Sequence, residues 1–142
     1  MRKVRNENLL VVDTHDFYLT IDPIFNFQIG RDTEDSTNRN LSNNTRGILV
    51  QGAVGQKLAF YASFYENQSF FPTYLSDHIK ETGVIPGQGR YKGFKIDGFD
   101  YAMASGALSY TPFKNVNVQF GHGKNFIGDG YRSLLLSDNT FN

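Results

Sequence analysis

The chain has 142 residues, with 14 Lys and Arg against 14 Asp and Glu, and so a formal net charge of zero. That balance argues against a general electrostatic grip on nucleic acid, which depends on neutralising many phosphates at once. Cysteine is absent, which removes disulfides, thiolate metal sites and cysteine nucleophiles together. The length suits one domain with an ordinary core. No apolar run approaches the roughly 18 residues of a transmembrane helix. After Met1-Arg2-Lys3 the only apolar run is Leu9 to Val12, shorter than the roughly 7–15 residues of an export signal; any such signal is expected outside this sequence. The composition leans instead on 13 Phe, 8 Tyr and 14 Gly. Aromatic residues favour a pleated surface, and glycine favours turns.

In chain order, the first long pattern spans residues 17–30. Phe17, Leu19, Ile21, Pro23, Phe25, Phe27 and Ile29 alternate with Tyr18, Thr20, Asp22, Ile24, Asn26, Gln28 and Gly30. Period-2 alternation predicts a strand with one apolar face, and Pro23 predicts an edge position, a bulge or a break. Residues 31–45 are polar and Asn-rich, and read as an exposed loop. Residues 46–54 and 58–65 alternate again across Gly55-Gln56-Lys57, which predicts a hairpin. Residues 66–98 are irregular, with Phe70-Phe71-Pro72 and Tyr74 as candidates for an aromatic girdle or a core cap. A short helical turn is expected near Ser76–Glu81, followed by Pro86-Gly87-Gln88-Gly89. A connection that long in a compact domain is commonly functional, or a sign that elements within it go unread. Residues 100–110 alternate with small side chains, and Thr111–Asn115 leads tightly into a strand over residues 116–122.

The connections therefore run long, short, long, short, long. Strands of roughly 9–12 residues with loops sorted by length are the pattern of an outer-membrane barrel, which keeps tight turns at one rim and long loops at the other. The fold expected is all-β: an antiparallel meander of about five strands, the N-terminal part of an incomplete barrel. Residues 1–142 then form a single segment of a larger domain. If the apolar faces meet lipid, Tyr61, Ser63, Tyr65, Met103, Ser105, Asn117 and Gln119 share the inward face.

The last stretch carries Gly121, Gly123, Gly128 and Gly130 within ten residues, implying positive φ or close backbone approaches. The run Gln119-Phe120-Gly121-His122-Gly123-Lys124-Asn125-Phe126-Ile127-Gly128-Asp129-Gly130-Tyr131-Arg132-Ser133-Leu134-Leu135-Leu136-Ser137-Asp138 resembles the signature of the Wzi-type capsule-assembly outer-membrane family. In particular it resembles a Bacteroidetes branch associated with gliding motility. The resemblance covers about 20 residues, and the Phe/Tyr-rich strands upstream add no specific motif. It implies a non-enzymatic β-barrel of the outer membrane, engaged with surface polysaccharide or with motility-machinery proteins, and no cofactor. Five strands fall short of the roughly eight or more of a bacterial barrel, and open edges in lipid leave backbone groups unsatisfied. A fragment of a longer barrel is therefore expected.

Within this run Asn125, Asp129, Tyr131 and Arg132 are the candidate glycan-binding residues, Tyr131 stacking on a sugar ring and the others hydrogen-bonding its hydroxyls. The bland alternative is that they anchor the loop, through Arg132–Asp129 or backbone contacts. The glycines match neither a P-loop nor a dinucleotide fingerprint. His15, His78 and His122 are too dispersed, and Asp32-Thr33-Glu34-Asp35 too incomplete, for a metal site. Two other classes stay open. One is a soluble β-sandwich that binds carbohydrate, its apolar faces packed on each other. The other is a hydrolase using His122 and Asp129, which requires one polar pocket to hold both.

Overall fold

A computed structural model describes residues 7–33 and 40–135. The fold is an antiparallel β meander built on five longer strands: β2 (Phe17–Arg31), β3 (Asn40–Val54), β4 (Leu58–Phe70), β8 (Gly98–Phe113) and β9 (Val116–His122). Shorter elements are β1 (Leu10–Asp13), helix α1 (Thr73–Thr82), β5 (Val84–Ile85), β6 (Gly89–Arg90) and β7 (Lys92–Phe94). The main sheet runs β1-β2-β3-β4-β8-β7, with β9 also on β8, and β5 and β6 form a separate hairpin. The described strands thus leave β1 at one edge and β7 and β9 at the other, as part of a barrel would.

The strands extend beyond their expected bounds in instructive places. β3 begins at Asn40 rather than Arg46, so the Asn-rich stretch taken for a loop is half strand; residues 34–39 lie outside the described residues. β4 continues through Glu66 to Phe70, and the helical turn expected near residues 76–81 is a ten-residue helix. Gly83 ends that helix in a left-handed conformation (φ 73°), its N–H bonding back to the Ile79 carbonyl, the usual way glycine terminates a helix. Leu9 to Val12 belong mostly to β1, which pairs with β2 from Leu10↔Ile21 to Asp13↔Tyr18. Pro23 lies beyond that pairing within an unbroken β2. The strand is therefore not broken there, and Pro23 sits where β1 no longer pairs with β2.

Contacts group the chain into two compact units: residues 1–24, 47–64 and 104–123, and residues 25–46, 65–103 and 124–142. The first holds the tight turns at residues 55–57 and 114–115. Gly55 N–H bonds there to the Asp16 carbonyl, and Thr111 N–H to that of Lys57. The second holds the described long connection between β4 and β8.

The apolar core is small and lies in the second unit. Ile79, Ile85, Phe99 and Tyr101 are buried, with Phe71, Leu75 and Tyr91 packed against them. Phe71 lies 5.7 Å from Phe99 and 6.4 Å from Tyr101, and Tyr91 meets Phe99 edge-on at 4.8 Å. Phe71 therefore caps the core, while Tyr74 is exposed. No helix among the described residues is long and apolar enough to cross a membrane, which says nothing of strands.

Candidate functional site

The two faces of the sheet have opposite chemistry, and the polar one is the better covered. In the second unit, buried Ser69 donates to Asn43 Oδ1 (2.7 Å) and meets the Tyr101 hydroxyl at 3.1 Å. Beside them, Thr45 donates to Asn67 Oδ1 (2.7 Å), and Asn67 donates to the Tyr101 carbonyl (3.4 Å). In the first unit, buried Ser63 and half-buried Ser105 share a 2.7 Å hydrogen bond. Asn117 Nδ2 donates to Ser109 (2.8 Å) and Thr111 (2.9 Å). These links join neighbouring strands residue to residue, so they fix which side chains share a face. Among the described residues no buried side-chain nitrogen or oxygen lacks a partner. Satisfied this way, buried polar groups cost little, and each bond contributes about 0.5–1.5 kcal/mol.

The other face carries large apolar side chains in the open. Phe25, Phe27 and Ile29 on β2 are 78%, 72% and 82% exposed, and Phe120 on β9 is 83% exposed. Phe120 stands opposite Leu108, and Val118 opposite Tyr110, while between them Gln119 faces Ser109 on the polar side. The alternation seen in the sequence is therefore real, with its usual burial inverted.

Within the first unit the polar face forms an open cavity of about 430 Å³, lined among others by Tyr18, Thr20, Gln51, Tyr61, Ser109 and Gln119. Alanines at positions 53, 59 and 107 leave it room, and no ionisable carboxylate, lysine, arginine or histidine lines it. Chemically it is a bed of neutral hydroxyls and amides beside two phenol rings. Tyr61, Ser63, Ser105, Asn117 and Gln119 were all legible as polar-face residues; Tyr18, Thr20 and Gln51 follow from the same parity.

The glycine loop after β9 is held by its own contacts. Lys124 Nζ donates to the Gly87 carbonyl in the β5–β6 turn (2.6 Å). Ile127 N–H donates to Ser133 Oγ (3.0 Å), and Leu134 N–H to the Ile127 carbonyl (2.8 Å). Gly128 takes a positive φ of 115°. Gly121 lies so close to β8 that a Cβ would stand 2.5 Å from both Ala107 Cβ and the Gly106 carbonyl oxygen. Gly123 and Gly130 show neither demand as sharply: a Cβ would meet Ser105 at 3.2 Å in the first case and little in the second.

Asn125, Asp129, Tyr131 and Arg132 are all exposed. The Arg132 guanidinium lies 5.3 Å from the centre of the Tyr131 ring, a flat cationic–aromatic surface. Lys124, Ile127, Ser133 and Leu134 take part in the anchoring, and the lysine's reach across 37 positions has no local signal. Leu136, Ser137 and Asp138 lie outside the described residues. His122 ends β9 and is exposed, as is Asp129, and neither lines the cavity. Among the described residues no three His, Asp or Glu side chains come together as a metal site would need. Comparison with protein-family models, curated proteins and solved structures finds no match. The class defined is thus a fold: an antiparallel meander with a neutral polar face and an exposed apolar one.

Proposed function

We propose that this chain is part of a non-enzymatic outer-membrane β-barrel that acts at the cell surface, in polysaccharide attachment or gliding motility. The observation that carries the barrel reading is the inverted polarity of the sheet. Full burial of a Phe or Ile side chain is worth roughly 1.5–3 kcal/mol. At their observed exposures Phe25, Phe27, Ile29 and Phe120 together forgo roughly 5–9 kcal/mol in water. A typical domain's whole net stability is about 5–15 kcal/mol, so water is a poor solvent for this face. Hydrocarbon recovers that loss. The buried Ser, Thr and Asn side chains suit a lumen, and further strands at the sheet's edges satisfy backbone groups that lipid leaves unpaired.

The surface role rests on the resemblance of Gln119–Asp138 and on the neutral cavity. Hydroxyls and amides without charge, beside Tyr18 and Tyr61, match an uncharged glycan better than an ionic ligand. In the loop, Tyr131 stacks on a sugar ring while Asn125, Asp129 and Arg132 bond its hydroxyls. The test is to fractionate the full gene product. Recovery in the outer membrane after urea washing supports the reading, and a soluble monomer refutes it.

A further inference from the structure

The segment between β4 and β8 does not extend away from the sheet but folds back onto one of its faces. Helix α1 presents Ile79, fully buried, and Leu75; the β5–β6 hairpin presents Ile85. What they cover is Phe99 and Tyr101 of β8, alternate residues on one face. That face is the polar one, because the Tyr101 hydroxyl meets Ser69, and Ser69 bonds Asn43. The segment is also tied down by polar contacts. Lys80 Nζ bonds Asp97 at 3.0 Å, and Lys124 Nζ bonds the Gly87 carbonyl at 2.6 Å.

We propose that residues 71–97 are a constriction element lying inside the barrel and narrowing its lumen, so that passage is limited by size. This rests on the barrel reading, which makes the polar face the lumenal one. The chemistry favours an inward position: Phe71, Leu75, Ile79 and Ile85 pack into one cluster with Phe99 and Tyr101, on the polar side of β8. An arm reaching outward would give up that cluster and expose it to water. The solutes admitted past such an element are small and hydrophilic, and macromolecules are kept out.

Because the chain has no cysteine, single cysteines can report the position of the segment directly. The full gene product is purified from membranes in detergent micelles, carrying either Asp77→Cys on the exposed side of α1 or Thr33→Cys in the exposed bend after β2. Each is treated with a small maleimide and with a bulky polyethylene-glycol maleimide, before and after denaturation. The constriction reading expects Thr33→Cys to take both reagents. Asp77→Cys should exclude the bulky one at least tenfold until the protein is unfolded. Equal reaction of Asp77→Cys with both reagents overturns it and leaves the barrel standing. A product never found in membranes overturns the barrel reading, and this inference with it. Replacing residues 73–89 by a short Gly-Ser linker gives a second readout: single-channel conductance in planar bilayers rises severalfold if the segment narrows the lumen, and an unchanged conductance refutes it.

Discussion

Neighbouring residues on β9 separate lipid from water in one experiment. Phe120 is 83% exposed and stands opposite Leu108, near the middle of the apolar alternation on β8 (Ala102 to Tyr110). Gln119 faces the other way, opposite Ser109. If Phe120 faced water, Phe120→Arg would be a surface change worth no more than about 0.5 kcal/mol. If it faces hydrocarbon, an arginine near mid-depth costs about 2–4 kcal/mol, a shift of roughly 30- to 700-fold in the folding equilibrium. Gln119→Arg, pointing into a lumen, should stay within about 1 kcal/mol in either case. The assay is reversible urea unfolding of the full product in lipid vesicles, followed by tyrosine fluorescence. The reasoning fails if the two variants unfold at the same urea concentration, or if Phe120→Arg is the more stable.

Other substitutions probe particular contacts. Gly121→Val brings a Cβ within 2.5 Å of Ala107 and the Gly106 carbonyl and should lose about 1–3 kcal/mol by overpacking, whereas Gly130→Ala, whose Cβ would make only ordinary contact with the Arg132 backbone, should be near neutral in the same assay. Ser63→Ala and Ser105→Ala break one 2.7 Å bond. Each should cost about 0.5–1.5 kcal/mol, and a double-mutant cycle should show the second loss largely absent once the first is made. Ile79→Ala, at a fully buried site, should cost about 2–5 kcal/mol, with hydrogen exchange rising in residues 73–90 and not in the Leu58–Phe64 strand. Tyr131→Ala should abolish retention on a surface-glycan affinity matrix while leaving the melting curve unchanged; undiminished retention removes Tyr131 from the glycan role.

The long strands were legible because their alternation is a local property: the apolar parity of Phe17 to Ile29 needs no partner to be seen. Asn40–Arg46 was not legible. Its Asn, Ser and Thr residues read as loop chemistry, and only a sheet whose covered face is polar makes Asn43 and Thr45 strand residues with partners at Ser69 and Asn67. Four-residue β1 has too little sequence to declare itself, and its Leu10 and Val12 acquire meaning from Ile21 and Leu19 opposite them. The packing of α1 was hidden for a different reason: its buried Ile79 meets Phe99 across a long connection, and register over that distance is not encoded locally. In the glycine loop, the demands at Gly121 and Gly128 were foreseeable in kind. Lys124 as the tether was not.

The places where the apolar alternation stops bear on the membrane reading independently of exposure. On β3 the apolar parity Val54, Val50, Ile48 gives way to Arg46; on β4 the parity Leu58, Phe60, Ala62, Phe64 is interrupted by Glu66 and Gln68 before Phe70 at the strand's end; on β8, Ala102 is preceded by Asp100. These first polar residues pair with one another across strands, Arg46 to Glu66 at 3.1 Å and Gln68 to Asp100 at 3.4 Å. An exposed ion pair of this kind adds at most about 1 kcal/mol, so stability does not explain its place. On the barrel reading proposed above, a depth boundary would: charge becomes tolerable on such a face where hydrocarbon ends. The strands are 13 to 16 residues long on β2, β3, β4 and β8, against about 9–11 needed to cross a bilayer, so each has residues to spare beyond such a boundary. β2 carries its apolar side chains further, to Ile29, and a tilt of roughly 35–45° between strand and membrane normal brings different stretches of neighbouring strands to one depth. A soluble sandwich has no reason to interrupt its apolar stripe on three strands at cross-paired polar residues.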